Sequence, residues 1–159
     1  MFEFIWRSVV LGVAATALLD LWALFLQRAF GIPPANWAMV GRWVGHLPEG
    51  RLVHDDIGKA ASVANELAIG WIFHYAVGIA FAAALLAVWG LGWARMPTLV
   101  PALIVGYVTI GCGWFILQPG MGAGIAASKR PNAMQIRLLN VLGHTVFGLG
   151  LYGAGLLLR

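Results

Sequence analysis

The 159-residue sequence predicts an all-α fold: an antiparallel bundle of four transmembrane helices, with one short interfacial helix after the first span. Three observations carry that reading. Four apolar runs, Phe4–Phe30, Ser62–Gly90, Pro97–Leu117 and Met134–Leu158, each reach or exceed the ~20 residues a helix needs to cross a hydrocarbon core of about 30 Å. Composition agrees: 61% of residues are hydrophobic and 10% charged, where a soluble domain carries about 25% charged residues. The connections are short, so one integral membrane domain over residues 1–159 is expected, with no separate soluble part.

The first run is far longer than the roughly 7–15 apolar residues of a secretory signal, and it carries Asp20, so it is expected to be a retained, packed helix. Pro33-Pro34 ends it, because proline cannot continue a helix and restricts the residue before it. Asn36 is then placed to cap a short helix with Trp37, Val40, Trp43, Val44 and Leu47 on one side, and Arg42 and His46 elsewhere. Such a segment is expected in the headgroup layer, its tryptophans at the interface. Pro48-Glu49-Gly50 breaks it. Asp55-Asp56 is acidic where a helix N-terminus favours negative charge, which predicts that the second helix begins ahead of its apolar part.

The second connection, Leu91–Met96, reads as a tight turn marked by Trp89, Trp93 and Arg95, with Pro97 in the first turn of the third helix. The third, Gln118–Pro131, is small and apolar at first and basic at its end. It is expected to dip into the membrane surface, where protein or water must satisfy its backbone. Cys112, the single cysteine, lies inside the third run and has no partner for an internal disulfide.

Charge sets orientation and partners. Arg28, Arg42, Arg51, Lys59, Lys129, Arg130 and Arg137 flank or occupy the first and third connections, while Arg7, Arg95 and Arg159 fall on the opposite side. That excess places the first and third connections in the cytoplasm and both termini in the periplasm of a multi-pass inner-membrane protein. The net charge of +4 therefore points to the lipid bilayer and not to nucleic acid.

Ionisable side chains inside lipid are the feature most in need of a reason. At 1.5 Å per residue, Asp20, His74, Thr109 and His144 each lie about 13–18 Å from the cytoplasmic edge, near the midplane. Glu66, Gly70, His74, Gly78 and Ala82 form a stripe on the second helix. Gly12, Thr16 and Asp20 form one on the first, and Asn140, His144, Gly148 and Tyr152 one on the fourth. A buried polar cluster of Asp20, His74, Thr109 and His144, with Glu66 and Asn140, is the expected interior site. Four readings fit it. The cluster fixes helix register by hydrogen bonding alone; or it relays protons or binds a cation in a small transporter, which at this size would act as a homo-oligomer; or His74 and His144 ligate a haem iron; or the two histidines hold a transition metal with Asp20 as third ligand.

A second candidate site lies at the cytoplasmic face, where Arg42, His46, Arg51, His54, Asp55, Asp56, Glu66, Gln118, Lys129 and Arg130 can converge. Gly120, Gly122 and Gly124 beside Lys129 and Arg130 suit contact with an anion or a lipid headgroup. The glycine run lacks a Gly-Lys-Ser/Thr ending and follows a membrane helix, so it does not fit a nucleotide-binding loop. A lipid-headgroup enzyme would use such a face, yet no nucleophile–base spacing stands out there.

Five strings spread over nearly the whole chain carry a resemblance. They are Asn36–Pro48 (NWAMVGRWVGHLP), Ala68–Tyr75 (AIGWIFHY), Pro97–Pro101 (PTLVP), Gln118–Pro131 (QPGMGAGIAASKRP) and His144–Tyr152 (HTVFGLGLY). In these the sequence resembles an uncharacterised bacterial membrane-protein family, domain of unknown function 2938. The resemblance implies a small four-span inner-membrane protein; it supplies no reaction, ligand or catalytic residue.

Overall fold

The computed structural model describes residues 1–159 and is helical, without a strand. The helices are α1 (Phe2–Phe30), α2 (Trp37–His46), α3 (Glu66–Arg95), α4 (Leu99–Gly120) and α5 (Ala133–Leu157). Of these, α1, α3 and α4 are long and apolar enough to cross a membrane, the mark of a membrane protein. The segment expected as the fourth span forms α5, which has the length, at 25 residues. Its first half, however, carries Gln135, Arg137, Asn140 and His144, and only three helices meet both requirements. Leu21, Ile72, Val88, Val100, Val108 and Phe115 stand well over half exposed, a costly exterior in water and a suitable one against lipid tails.

The helix ends follow local chemistry. Gly31 stops α1 by turning left-handed at φ 67°, its N–H returning to Gln27 O, ahead of the proline pair. Asn36 caps α2 as expected, its side chain accepting from Met39 N–H at 3.3 Å. The acidic pair behaves differently from the expectation. Asp56 caps a single 3-10 turn, Ile57–Lys59, and α3 begins only at Glu66, whose carboxylate reaches back to Val63 N–H at 3.1 Å. Gly90 interrupts α3 at φ 73°. The third long helix starts at Leu99, so Pro97 precedes it, and Pro101 is the proline of its first turn. Within α4, Gly113–Leu117 form a π turn, in which Gln118 N–H bonds to Gly113 O.

By its contacts the chain forms two compact units. Unit 1 holds Met1–Pro34, Tyr75–Thr109 and Val141–Arg159; unit 2 holds Ala35–His74 and Ile110–Asn140. Unit 1 closes around Leu11, Ala15, Ala82, Leu85, Leu86, Phe147 and Leu151. A side chain at Gly12 would overlap the Ile79 backbone, and one at Gly106 would stand 2.6 Å from His144 O. Such close backbone approach is how helices associate where no water drives their apolar faces together. At one end of the unit, Arg7 donates to Ala94 O and Leu158 O, and Glu3 pairs with both Arg7 and Arg95.

In unit 2, α2 packs into protein instead of presenting its apolar side to the headgroup layer. Val40 and Trp43 are buried, and so is His46, which was expected away from that side. The cause lies in two glycines. A Cβ on Gly41 would collide with Glu66 O, and one on Gly70 with Trp37 O. With hydrogens in those places, the backbones of α2 and early α3 touch.

Candidate functional site

In unit 1, the Tyr75 hydroxyl of α3 donates to Asp20 Oδ2 of α1 at 2.8 Å. One turn before Asp20, Thr16 is 1% exposed, and its Oγ1 has no hydrogen-bond partner. It abuts Gly78, one turn after Tyr75. Tyr75 was absent from the expected site. The available signal was general: a tyrosine hydroxyl inside an apolar span needs a partner.

His144 and Thr109 also meet in unit 1, as their matched depth predicts. His144 Nδ1 lies 2.9 Å from Gly106 O and 3.2 Å from Thr109 Oγ1. A carbonyl only accepts, so Nδ1 carries the hydrogen, and in the neutral ring Nε2 is the nitrogen with the free lone pair. Thr109 Oγ1 donates back to its own helix, with Val105 O at 2.7 Å and Gly106 O at 2.9 Å. The hydrogen bonds of His144 are therefore made with α4, and none of them is to Asp20. The rise per residue fixed its level but not the direction in which its ring turns.

The other expected members of the cluster belong to unit 2. His74 stacks on Trp37 with ring centroids 3.9 Å apart, and Trp71 meets it edge-on at 5.8 Å. Glu66 takes both prongs of Arg42, at 2.9 and 2.8 Å. Asn140 Oδ1 accepts from Trp114 Nε1 and from Gln118 Nε2, each at 2.9 Å. An indole N–H can only donate, so it fixes the orientation of the Asn140 amide, which in turn fixes Gln118 and leaves Gln118 Oε1 buried without a donor. No three His, Cys, Asp or Glu side chains form a group suited to a metal ion.

The first and third connections do meet, in unit 2. His54 N–H donates to Gly120 O at 2.9 Å and Ile57 N–H to Met121 O at 3.2 Å. A Cβ on Gly122 would overlap the Asp55 carbonyl. His54 Nδ1 faces Gly120 O at 3.2 Å and therefore carries a hydrogen. In the neutral pair its Nε2 then accepts from His46 Nδ1, 2.8 Å away. Arg42 adds the carbonyls of Ile57, Gly58 and Ala60 to its bond with Glu66, and that carboxylate holds the guanidinium even more firmly protonated than usual. Of the residues expected to touch an anion, Arg42, His46, His54 and Gly120 are thus engaged within the protein. Gly124 packs against Ser128 and Lys129. Gly122, Lys129 and Arg130 reach an open cleft of about 230 Å³, whose remaining lining is Asp55 and Asp56.

No curated protein and no solved structure matches the chain. A family model described as a protein of unknown function, DUF2938, matches residues 9–158, a stretch that takes in every residue of the two candidate sites. The chain belongs to the DUF2938 family.

Proposed function

We propose that this protein is a four-span bacterial inner-membrane protein that moves a proton or small cation by way of Asp20, acting as a homo-oligomer. In this reading α5 is the fourth antiparallel span, the first and third connections face the cytoplasm, and both termini face the periplasm. The observation that carries it is the 2.8 Å bond from Tyr75 to Asp20, a carboxylate placed well inside an apolar helix. A charged group at that depth is costly and usually marks an ion pathway. Thr16, with an unpartnered hydroxyl one turn away, adds a second oxygen on the same face of α1. A purely structural Asp–Tyr bond would instead hold α1 against α3 and carry no flux.

Proteoliposomes with a trapped pH dye, given inward Na⁺, K⁺ or pH gradients, test the reading. Wild-type protein is expected to produce a cation- or proton-dependent signal, Asp20→Asn to abolish it, and Tyr75→Phe to reduce it, with equal amounts of folded protein inserted. Wild-type flux no greater than in protein-free vesicles overturns the proposal, as does unchanged flux in Asp20→Asn.

A further inference from the structure

The cleft in unit 2 has two walls of opposite sign. Asp55 and Asp56 come from the first connection, Lys129 and Arg130 from the third, and Gly122 completes the lining. The walls do not neutralise one another. Lys129, Arg130 and Asp55 form no ion pair, and Asp56 stands 4.0 Å from the exposed Lys59 while capping Gly58 N–H at 2.9 Å. Their separation is built in. The backbone bonds from His54 to Gly120 and from Ile57 to Met121, with Gly122 pressed on the Asp55 carbonyl, hold the two connections at fixed spacing. The cleft also sits where membrane helices end: α4 closes at Gly120 and α3 opens at Glu66.

A simple anion would satisfy Lys129 and Arg130 but face two carboxylates, and a simple cation would meet the reverse. A ligand with both charges a few ångströms apart satisfies both walls. At a share of roughly 30 Å³ per water, 230 Å³ accommodates a molecule of that size. We infer that this cleft binds a phosphoethanolamine group, with its phosphate on Lys129 and Arg130 and its ammonium on Asp55 and Asp56. Choline in the same place carries methyl groups and no N–H, so it cannot donate to the carboxylates. A phosphoglycerol group brings no cation for the acidic wall.

The test uses the full-length protein in detergent and counts retained lipid by native mass spectrometry after supplying phosphatidylethanolamine, phosphatidylcholine or phosphatidylglycerol. Phosphatidylethanolamine is expected to be retained best. The pair Asp55→Asn and Asp56→Asn should weaken that retention by roughly 3- to 10-fold, the scale of one or two partly exposed ion pairs. Asparagine caps a turn as well as aspartate does, so the loop keeps its form. Lys129→Gln with Arg130→Gln should weaken it similarly. In a second arm, soluble phosphoethanolamine competes. Displacement of the lipid shows that the headgroup alone is recognised, and soluble binding without lipid retention assigns the same chemistry to a free ligand. Equal retention of phosphatidylglycerol, or retention indifferent to the Asp55 and Asp56 changes, overturns the inference, as does binding of neither form.

Discussion

Arg42 grips both carboxylate oxygens of Glu66, at 2.9 and 2.8 Å, and extends its third nitrogen to the carbonyls of Ile57, Gly58 and Ala60. One side chain thereby ties α2 to the start of α3 and gathers the loop between them. Glu66→Gln is expected to lower the thermal midpoint in detergent clearly more than Glu49→Gln does, since the Arg51–Glu49 pair is mostly exposed. Arg42→Lys should lose most of the same stability, because an ammonium cannot reach two oxygens and three carbonyls as a planar fork does. Equal midpoints for Glu66→Gln and Glu49→Gln would refute this.

The contact between α2 and α3 depends on absent side chains. Gly41→Ala and Gly70→Ala each place a methyl group on a backbone carbonyl and are expected to cost about 1–3 kcal/mol or more. Gly153→Ala, with nothing within 4 Å of the added carbon, serves as the control and should be neutral or slightly stabilising. Thermal unfolding of the three variants decides it.

The histidines carry a prediction about hydrogen position. Carbonyl oxygens of Gly106 and Gly120 face Nδ1 of His144 and His54, and His46 Nδ1 faces His54 Nε2. Nitrogen-15 NMR of labelled protein at neutral pH should find all three rings hydrogenated at Nδ1. A ring hydrogenated only at Nε2 at position 144 would contradict the assigned geometry.

Asn140 serves two donors at once. Asn140→Leu strands Trp114 Nε1–H and Gln118 Nε2 together and is expected to cost about 1–3 kcal/mol. With Trp114→Phe already in place, the same change should cost less, because one donor has gone. A double-mutant cycle on thermal stability reads the difference; strict additivity would mean that the bond contributes nothing.

Sequence reasoning reached the helices and several of their ends, because apolar length, Asn36 and the prolines act locally. It reached less of the pairing. Asp20, Thr109 and His144 were legible as polar groups at one depth, yet depth says nothing about which way a side chain turns. His144 found Gly106 and Thr109, and Asp20 found Tyr75, a residue that no periodic stripe had singled out. The burial of α2 was missed for a similar reason. Its apolar side suited lipid and protein equally, and only the paired hydrogens of Gly41 and Gly70 favour protein. The meeting of the two connections was legible from their charges and glycines, but the pairing of His46 with His54 was not. Seven residues of loop and turn lie between them, and no rule of spacing spans that.

The π turn at Gly113–Leu117 carries one residue more than an ordinary helical ladder would. The wide turn absorbs that surplus, so Gln118 still meets Asn140 and Gly120 still meets His54. Removing one outward-facing residue of the five, Phe115 or Ile116, would let the ladder close as an ordinary α-helix with everything beyond it left in place. The same one-codon deletion elsewhere in α4 would turn all that follows by about 100°, so this stretch is where the helix has a residue to spare.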